Sequence, residues 1–195
     1  MTLQSRFIIP LTLTVLFLMS ACPAPVAAAE HVVAPSGAEF VSIQEAVDWA
    51  SAGDVIYVES GTYLETISLK KKLILVGVDS GRGLPVIDAA QRGNGVDIRV
   101  DNCTVERFVI QNGSLFTGIR AGSSDNILRK NTVRGFSQGI LLDSSRGSTV
   151  SGNNVTGNGR AGIALVSSGS NEIEYNSVTK NTIGITLDEY SLSNR

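Results

Sequence analysis

The chain has 195 residues, of which 43% are hydrophobic and 17% charged, and its formal net charge is −2. This length and apolar content predict one modest domain with its own hydrophobic core. The near-neutral charge argues against nucleic acid as the main partner, because nucleic-acid binding depends on an excess of basic side chains.

Residues 1–29 have the features of an export signal. Arg6 precedes an apolar run, and small residues follow up to Ala29. This order is that of a secretory signal peptide, and the apolar run is too short for a membrane span. We therefore expect cleavage after Ala29 and a secreted, cell-surface or periplasmic location. A lipid anchor on Cys22 is the alternative, because the residues before it resemble a bacterial lipobox.

The mature domain, residues 30–195, is predicted to begin with a short strand at residues 31–34 and a helix at about residues 42–51. Ser42 and Glu45 form a capping box. Apolar residues then follow at helical spacing. A helix in this place can plug the open end of a stack of strands.

Less regular strands are predicted over residues 54–94, and regular repeats over residues 95–195. The repeats each open with a glycine, at intervals of 21 to 23 residues, and carry two further apolar anchors in step; the glycines are Gly95, Gly118, Gly139, Gly162 and Gly184. Self-similarity at this period indicates a repeat architecture.

The repeating unit reads as one coil of an all-β solenoid, a parallel β-helix with three short strands per coil. Apolar and variable residues alternate after each glycine, as in a strand, and Gly, Ser and Asn fill the gaps as they do in turns. No repeat has room for a helix. We expect about six coils, with Ile163 pointing inward between Ile140 and Ile185.

An asparagine recurs between the second and third anchors, at Asn131, Asn153 and Asn176. Because stacked coils lie about 4.8 Å apart, these side chains are expected to form a hydrogen-bonded ladder. The last coil is incomplete at Arg195 and has no capping segment. We therefore expect either a partner or a missing segment to cover the C-terminal coil.

The N-terminal motifs resemble those of a known superfamily. Residues 40–47 (FVSIQEAV), 53–58 (GDVIYV) and 61–65 (GTYLE) are similar to the opening of right-handed β-helices of the pectate-lyase-like superfamily. The later repeats resemble those of NosD-type proteins and of carbohydrate-binding or sugar-hydrolysing surface proteins. The resemblance implies a right-handed coil, but the scaffold hosts many activities.

An enzyme that cleaves polysaccharide is the alternative to a binding module. The superfamily resemblance implies clustered carboxylates for a polysaccharide lyase or glycoside hydrolase, and the best-placed candidates here are Asp97, Asp143 and Asp188. The repeat register separates them and pairs Asp97 with Arg120 and Glu106 with Arg129, which are better read as cross-strand ion pairs. The sequence therefore leaves an enzyme as the alternative.

Metal binding is not expected from the residues. The NosD resemblance implies a periplasmic copper-accessory role, which is the second alternative. A copper site needs clustered His, Cys or Met, and the chain has one histidine, His31, and two cysteines. Calcium on an aspartate finds no support either, so no cofactor is predicted.

A basic strip is the best candidate binding site. Arg107 and Lys130 share one position in successive coils, Arg134 lies nearby, and Tyr175 follows in the same register. Such a strip suits an acidic polysaccharide or a cell-surface glycan. The function we expect is therefore an exported binding or structural module, with carbohydrate as the first ligand class.

Overall fold

The computed structural model describes residues 27–195 and shows a right-handed parallel β-helix with one short helix near its N-terminus. Its strands form three parallel sheets, which we name by their strands. Sheet A contains β1, β2, β5, β8, β11, β14 and β17; sheet B contains β3, β6, β9, β12, β15 and β18; sheet C contains β4, β7, β10, β13, β16 and β19.

The elements follow one another in chain order. The helix α1 spans Ile43–Trp49. The strands are β1 Glu30–Val33, β2 Val55–Glu59, β3 Thr62–Tyr63, β4 Ile67–Leu69, β5 Ile74–Val78, β6 Val86–Asp88, β7 Val96–Ile98, β8 Thr104–Glu106, β9 Val109–Gln111, β10 Thr117–Ala121, β11 Ile127–Arg129, β12 Thr132–Arg134, β13 Gln138–Asp143, β14 Thr149–Ser151, β15 Asn154–Thr156, β16 Ala161–Val166, β17 Glu172–Glu174, β18 Ser177–Thr179 and β19 Ile183–Leu187.

The solenoid has about seven turns, against the six predicted from the sequence. The difference arises at the N-terminal end. There β1 pairs with β2 and so begins a turn of its own, although α1 follows it where later turns have strands. The sequence predicts a spacer between strands at residues 61–63, but Thr62 and Tyr63 form the short strand β3, which pairs with β6.

Inward side chains stack in columns, one residue per turn, and form the core. The apolar anchors of the repeats fall in register as predicted: Val105, Leu128, Val150 and Ile173 in sheet A, and Ile110, Val133, Val155 and Val178 in sheet B. In sheet C, Ile163 is buried between Ile140 and Ile185, which confirms its predicted direction.

Four of the five repeated glycines, Gly95, Gly118, Gly139 and Gly162, stand at the start of sheet C strands because no side chain fits there, whereas a Cβ at Gly184 in the last turn would meet nothing within 4 Å. A Cβ at Gly118 would lie 2.2 Å from Val133 Cγ1 and 2.6 Å from the carbonyl oxygen of Gly139. The same clash, with a sheet B side chain of its own turn and a carbonyl of the next turn, occurs at Gly95 and Gly139. The period seen in the sequence therefore marks close packing at the corner between sheets B and C.

Helix α1 packs its apolar face on the first turns, as predicted. Ile43, Ala46 and Val47 are buried in the core cluster. Ser42 is the N-cap and accepts a hydrogen bond from the backbone N–H of Glu45. The carboxylate of Glu65 also accepts from the Ser42 hydroxyl and from the N–H groups of Ile43 and Gln44, which ties the helix to the corner before β4.

Side-chain ladders join the turns at all three corners. Between sheets A and B, Asn153 Oδ1 accepts from Asn131 Nδ2 at 3.2 Å, and Asn176 Oδ1 accepts from Asn153 Nδ2 at 2.9 Å. Between sheets B and C, Asn158 donates to Asn181 Oδ1 at 2.9 Å. These bonds satisfy polar groups that would otherwise be buried without partners.

The ladder between sheets C and A uses two residue types. Asn126 N–H donates to Ser148 Oγ, Ser148 N–H donates to Asn171 Oδ1, and Asn171 N–H donates to Asn194 Oδ1. Serine replaces asparagine in one turn of this ladder. Because no single residue type recurs, the sequence pattern does not predict it.

The C-terminal turn exposes side chains that point inward in earlier turns. Ile185 is 48% exposed, whereas its stacking neighbour Ile163 is fully buried. Residues 192–195 lie beside β17, where Ile173 N–H donates to the carbonyl of Arg195. A partner or segment covering this turn stays a prediction.

The structure bears on a membrane span only for residues 27–195, and the predicted signal peptide lies largely outside that range. Among residues 27–195, no helix is long and apolar enough to cross a membrane. Residues 1–26, including most of the predicted signal and Cys22, lie outside the described residues.

Candidate ligand-binding surfaces

A groove of about 470 Å³ runs over the outer face of sheet B. Its floor is a row of side chains in register, one per turn, formed by Asp88, Gln111, Arg134 and Thr156; Thr179 continues the same row on the next turn, beyond the groove. Arg134 donates twice to Gln111 Oε1, and Gln111 Nε2 donates to Asp88 Oδ2 at 3.2 Å. The row therefore carries connected hydrogen-bonding groups along the helix axis.

Asp88 closes the N-terminal end of this groove, which we call the sheet B groove. Burial alone would raise its pKa, but hydrogen bonds from Ala90 N–H, Asn112 and Gln111 together lower the pKa below the ordinary carboxyl value. The carboxylate is thus charged at neutral pH, and its charge opposes that of Arg134 along the groove.

The predicted basic strip divides between two surfaces. Arg134 lies in the sheet B groove, whereas Arg107, Lys130 and Tyr175 project from the corner between sheets A and B. All three corner residues are exposed, Tyr175 to 87%, and have positive φ angles of 54° to 65°. The same backbone conformation at each turn aligns them along the solenoid, with Gly152 between Lys130 and Tyr175.

Two of the three candidate catalytic aspartates meet through an arginine on the outer face of sheet C. Arg120 donates to Asp97 Oδ1 at 3.2 Å and to Asp143 Oδ2 at 2.5 Å, and Arg99 donates to Asp97 Oδ2 at 2.7 Å. The hydrogen bonds of Asp143 and Asp97 raise the pKa of Arg120. The predicted pairs Asp97–Arg120 and Glu106–Arg129 are both confirmed.

Asp188, the third candidate, takes no part in that cluster. Its carboxylate accepts from the Ser191 hydroxyl at 2.6 Å and from Ser167 N–H at 2.9 Å. These bonds, led by that of Ser191, lower the pKa of Asp188. The Asp188 carboxylate therefore stabilises the turn that follows β19.

A second concave surface lies beside Asp97, at the N-terminal end of sheet C, and the sequence analysis missed it. This cleft of about 290 Å³, which we call the sheet C cleft, is lined among others by Ser68, Asn94, Arg99 and Phe116. Its residues come from two neighbouring turns, around β4 and β7, and from the β9–β10 loop, so no local motif marks it. Only the charged Asp97 and the exposed Phe116 could have been noticed in advance.

Comparison with known proteins identifies a family and similar folds. A family model described as periplasmic copper-binding protein (NosD) matches residues 48–195. A pectin methylesterase in complex with a hexasaccharide is similar over 77% of this chain and 67% of its own, with 13% identity and a TM-score of 0.43. The pectin methylesterase of Aspergillus niger is similar over 85% of each chain, with 12% identity and a TM-score of 0.40. No curated protein matches the chain.

The described residues do not fit a copper centre. His31 Nδ1 and Nε2 lie 3.2 Å from Glu39 Oε2 and 3.3 Å from Asp54 Oδ2, so both ring nitrogens have partners. Cys103 is fully buried, and burial raises the pKa of its thiol, which disfavours the thiolate that binds metal. Within residues 27–195, no group of three or more His, Cys, Asp or Glu side chains could hold a metal ion.

Proposed function

We propose that this chain, which belongs to the NosD family, is an exported module that binds an acidic polysaccharide along the sheet B groove and the adjoining corner. The observation that carries the proposal is the row of five hydrogen-bonding side chains in register, from Asp88 to Thr179. Successive turns lie about 4.8 Å apart, which is close to the length of one sugar residue. A linear glycan lying along the solenoid axis would thus meet one polar side chain per sugar.

The charges near the groove favour an acidic ligand. Arg107, Lys130 and Arg134 are exposed within two neighbouring turns, and Arg134 lies on the groove floor. Guanidinium groups suit the planar carboxylates of uronic acids. Tyr175, further along the same corner, offers an exposed ring face on which a sugar can stack.

The test compares charge-reversed variants on immobilised polygalacturonate. Lys130→Glu and Arg134→Glu should each weaken retention, by about threefold to tenfold, because one attractive charge becomes repulsive. Arg146→Glu is the matched control, since Arg146 is exposed at the corner between sheets C and A. Equal retention of the control and the two variants would contradict the proposal.

An enzyme acting on polysaccharide is the second candidate, favoured by the meeting of Asp97, Arg120 and Asp143 on sheet C. Hydrolysis of a glycoside needs one carboxyl that donates a proton and one that acts as base or nucleophile. Here Arg120 supplies N–H donors to both carboxylates, so each is engaged as an acceptor. Shortening of a glycan by the wild type and its loss in Asp97→Asn would favour the enzyme.

A further inference from the structure

The Ser68 hydroxyl is anomalous in this fold. It is the one buried side-chain oxygen or nitrogen in the described part of the chain that has no hydrogen-bond partner within the protein. A buried hydroxyl without a partner costs stability, and native proteins rarely keep one unless another group completes it. The backbone around it is well fixed, since Ser68 N–H donates to Gln44 Oε1 of helix α1 at 2.8 Å.

Ser68 lines the sheet C cleft, and the groups around it are both polar and aromatic. Ser68 stands in register with Asp97 on the adjacent strand, and Asn94 and Arg99 line the same space. Phe116 forms another part of the wall and is 41% exposed, although it is a large apolar side chain. An aromatic face beside several hydrogen-bonding groups is the combination that a sugar ring requires.

The loop that carries Phe116 is held in place before any ligand arrives. Gly113 N–H and Ser114 N–H both donate to the carbonyl of Gly135, and Phe116 accepts from Ser137 N–H at 2.9 Å. A Cβ at Gly113 would lie 1.9 Å from the ring of Phe136, so the loop packs tightly on the core. The position of Phe116 is therefore set in advance, which lowers the entropic cost of binding.

The charge of the cleft is balanced. Arg99 Nε lies 2.7 Å from Asp97 Oδ2, and these are the two charged side chains that line the cleft. An ion pair of this kind offers both donors and acceptors but no net charge. A neutral ligand therefore fits the cleft better than an acidic one, in contrast to the sheet B groove.

We propose that the sheet C cleft is a second site, which binds one neutral pyranose ring through stacking on Phe116 and a hydrogen bond to the Ser68 hydroxyl. This inference rests on the proposed glycan-binding function but uses a different surface. The β9–β10 loop separates the two surfaces, since Asn112 at its start lines the groove and Phe116 at its end lines the cleft. The ligand would be a terminal or branching sugar of a glycan.

Ser68→Ala separates a binding role from a structural one. Because the hydroxyl has no partner in the free protein, its removal should leave the Tm unchanged or raise it. Loss of one hydrogen bond to the ligand should weaken binding of a neutral methyl pyranoside by about 2- to 12-fold. A fall in Tm would show that the hydroxyl is paired within the protein and would overturn the proposal.

Phe116→Ala and Leu115→Ala form a matched pair for the stacking contact. Leu115 is the neighbouring residue, is 87% exposed and does not line the cleft. Phe116→Ala should weaken pyranoside binding by about 2- to 12-fold, the range expected for one aromatic contact, and Leu115→Ala should not. Equal effects of the two changes, or none, would overturn the proposal.

The probes are methyl glucopyranoside, methyl galactopyranoside and methyl galacturonoside, each titrated into the exported protein and followed by ligand-observed NMR. We expect a neutral glycoside to bind more tightly than the uronoside. No binding of any probe, or preference for the uronoside, would overturn this inference. Lys130→Glu should leave pyranoside binding unchanged while weakening polygalacturonate retention, so failure of the cleft and failure of the groove give different results.

Discussion

Ile163 shows how one side chain reports on the register of the whole solenoid. It is fully buried on the inner face of β16, stacked between Ile140 and Ile185. Ile163→Asp would bury a charge without a partner and should lower the free energy of unfolding by about 4 kcal/mol or more. Chemical denaturation measures the loss.

Val166→Asn is the control for this change, because Val166 lies on the same strand but is 41% exposed, and a neutral side chain avoids repulsion from Asp143, which stands opposite in register. It should alter stability by no more than about 0.5 kcal/mol. Similar losses in the two variants would mean that the inner and outer faces of sheet C are assigned wrongly.

Asp54 should make the stability of the N-terminal turn depend on acid pH. In a chain that retains Ala29, its carboxylate accepts from Ala29 N–H at 2.8 Å and from Ser51 N–H at 2.7 Å. These bonds, helped by His31, lower the pKa of Asp54 below the ordinary 3.8, so the variants below are made in a chain that includes Ala29. A lowered folded-state pKa stabilises the protein above the ordinary value and loses that effect as the pH falls through the lower one.

Because the folded-state pKa of Asp54 is lowered, the thermal stability of the wild type and of Asp54→Asn should differ at neutral pH and converge in acid. The variant should have the lower Tm at pH 7, and the gap should narrow as the pH falls below about 4, when the wild-type carboxylate takes up a proton. Thermal melts between pH 2 and pH 7 give the curve. A gap that is constant or that widens in acid would contradict the assignment.

Among the elements, the corner ladders connect each turn to the next. Asn153 is buried and holds four bonds, accepting from Asn131 N–H and Nδ2 and donating to Leu128 O and Asn176 Oδ1. Asn153→Ala leaves the Asn131 N–H without its acceptor and removes the side-chain donor to the Leu128 carbonyl, which should cost about 2–4 kcal/mol in unfolding free energy.

Asn154→Ala is the matched control, because Asn154 is the next residue and its side chain is exposed. Urea denaturation of both variants measures the difference. If Asn153→Ala were no more destabilising than Asn154→Ala, the ladder would be a by-product of stacking and would not stabilise it.

The elements also show which patterns a sequence reveals. The repeated glycines and aliphatic anchors predict the parallel strands and their register, because stacking requires the same residue type at the same position in every turn. The Asn126–Ser148–Asn171 ladder has mixed residue types and was not predicted. Strand β3 was missed because two residues are too few to show alternation.

At the scale of the whole molecule, the surfaces could be predicted only in part. The alignment of Arg107, Lys130 and Tyr175 follows from the repeat, since one backbone conformation recurs at each corner. The bridge from Asp97 to Asp143 through Arg120 depends on the reach of a long side chain across two turns. The sheet C cleft combines two strands, a corner and a loop, which no periodic pattern relates.

The family and the residues lead to different expectations for ligands. The NosD family model describes copper binding, yet His31 has partners on both ring nitrogens and Cys103 is buried. The outer face of sheet B instead carries polar side chains in register over five turns, of which Asp88, Gln111 and Arg134 are joined by hydrogen bonds. The glycan ligand proposed above is therefore argued from these side chains and not from the family.

The most direct test of glycan binding is retention of the protein on a panel of immobilised glycans, with the chain length of each glycan measured before and after incubation. We predict retention on polygalacturonate with no change in its chain length. Shortening of the glycan would contradict a pure binding role and direct attention to Asp97 and Asp143. Absence of retention on every glycan would contradict glycan binding by this protein.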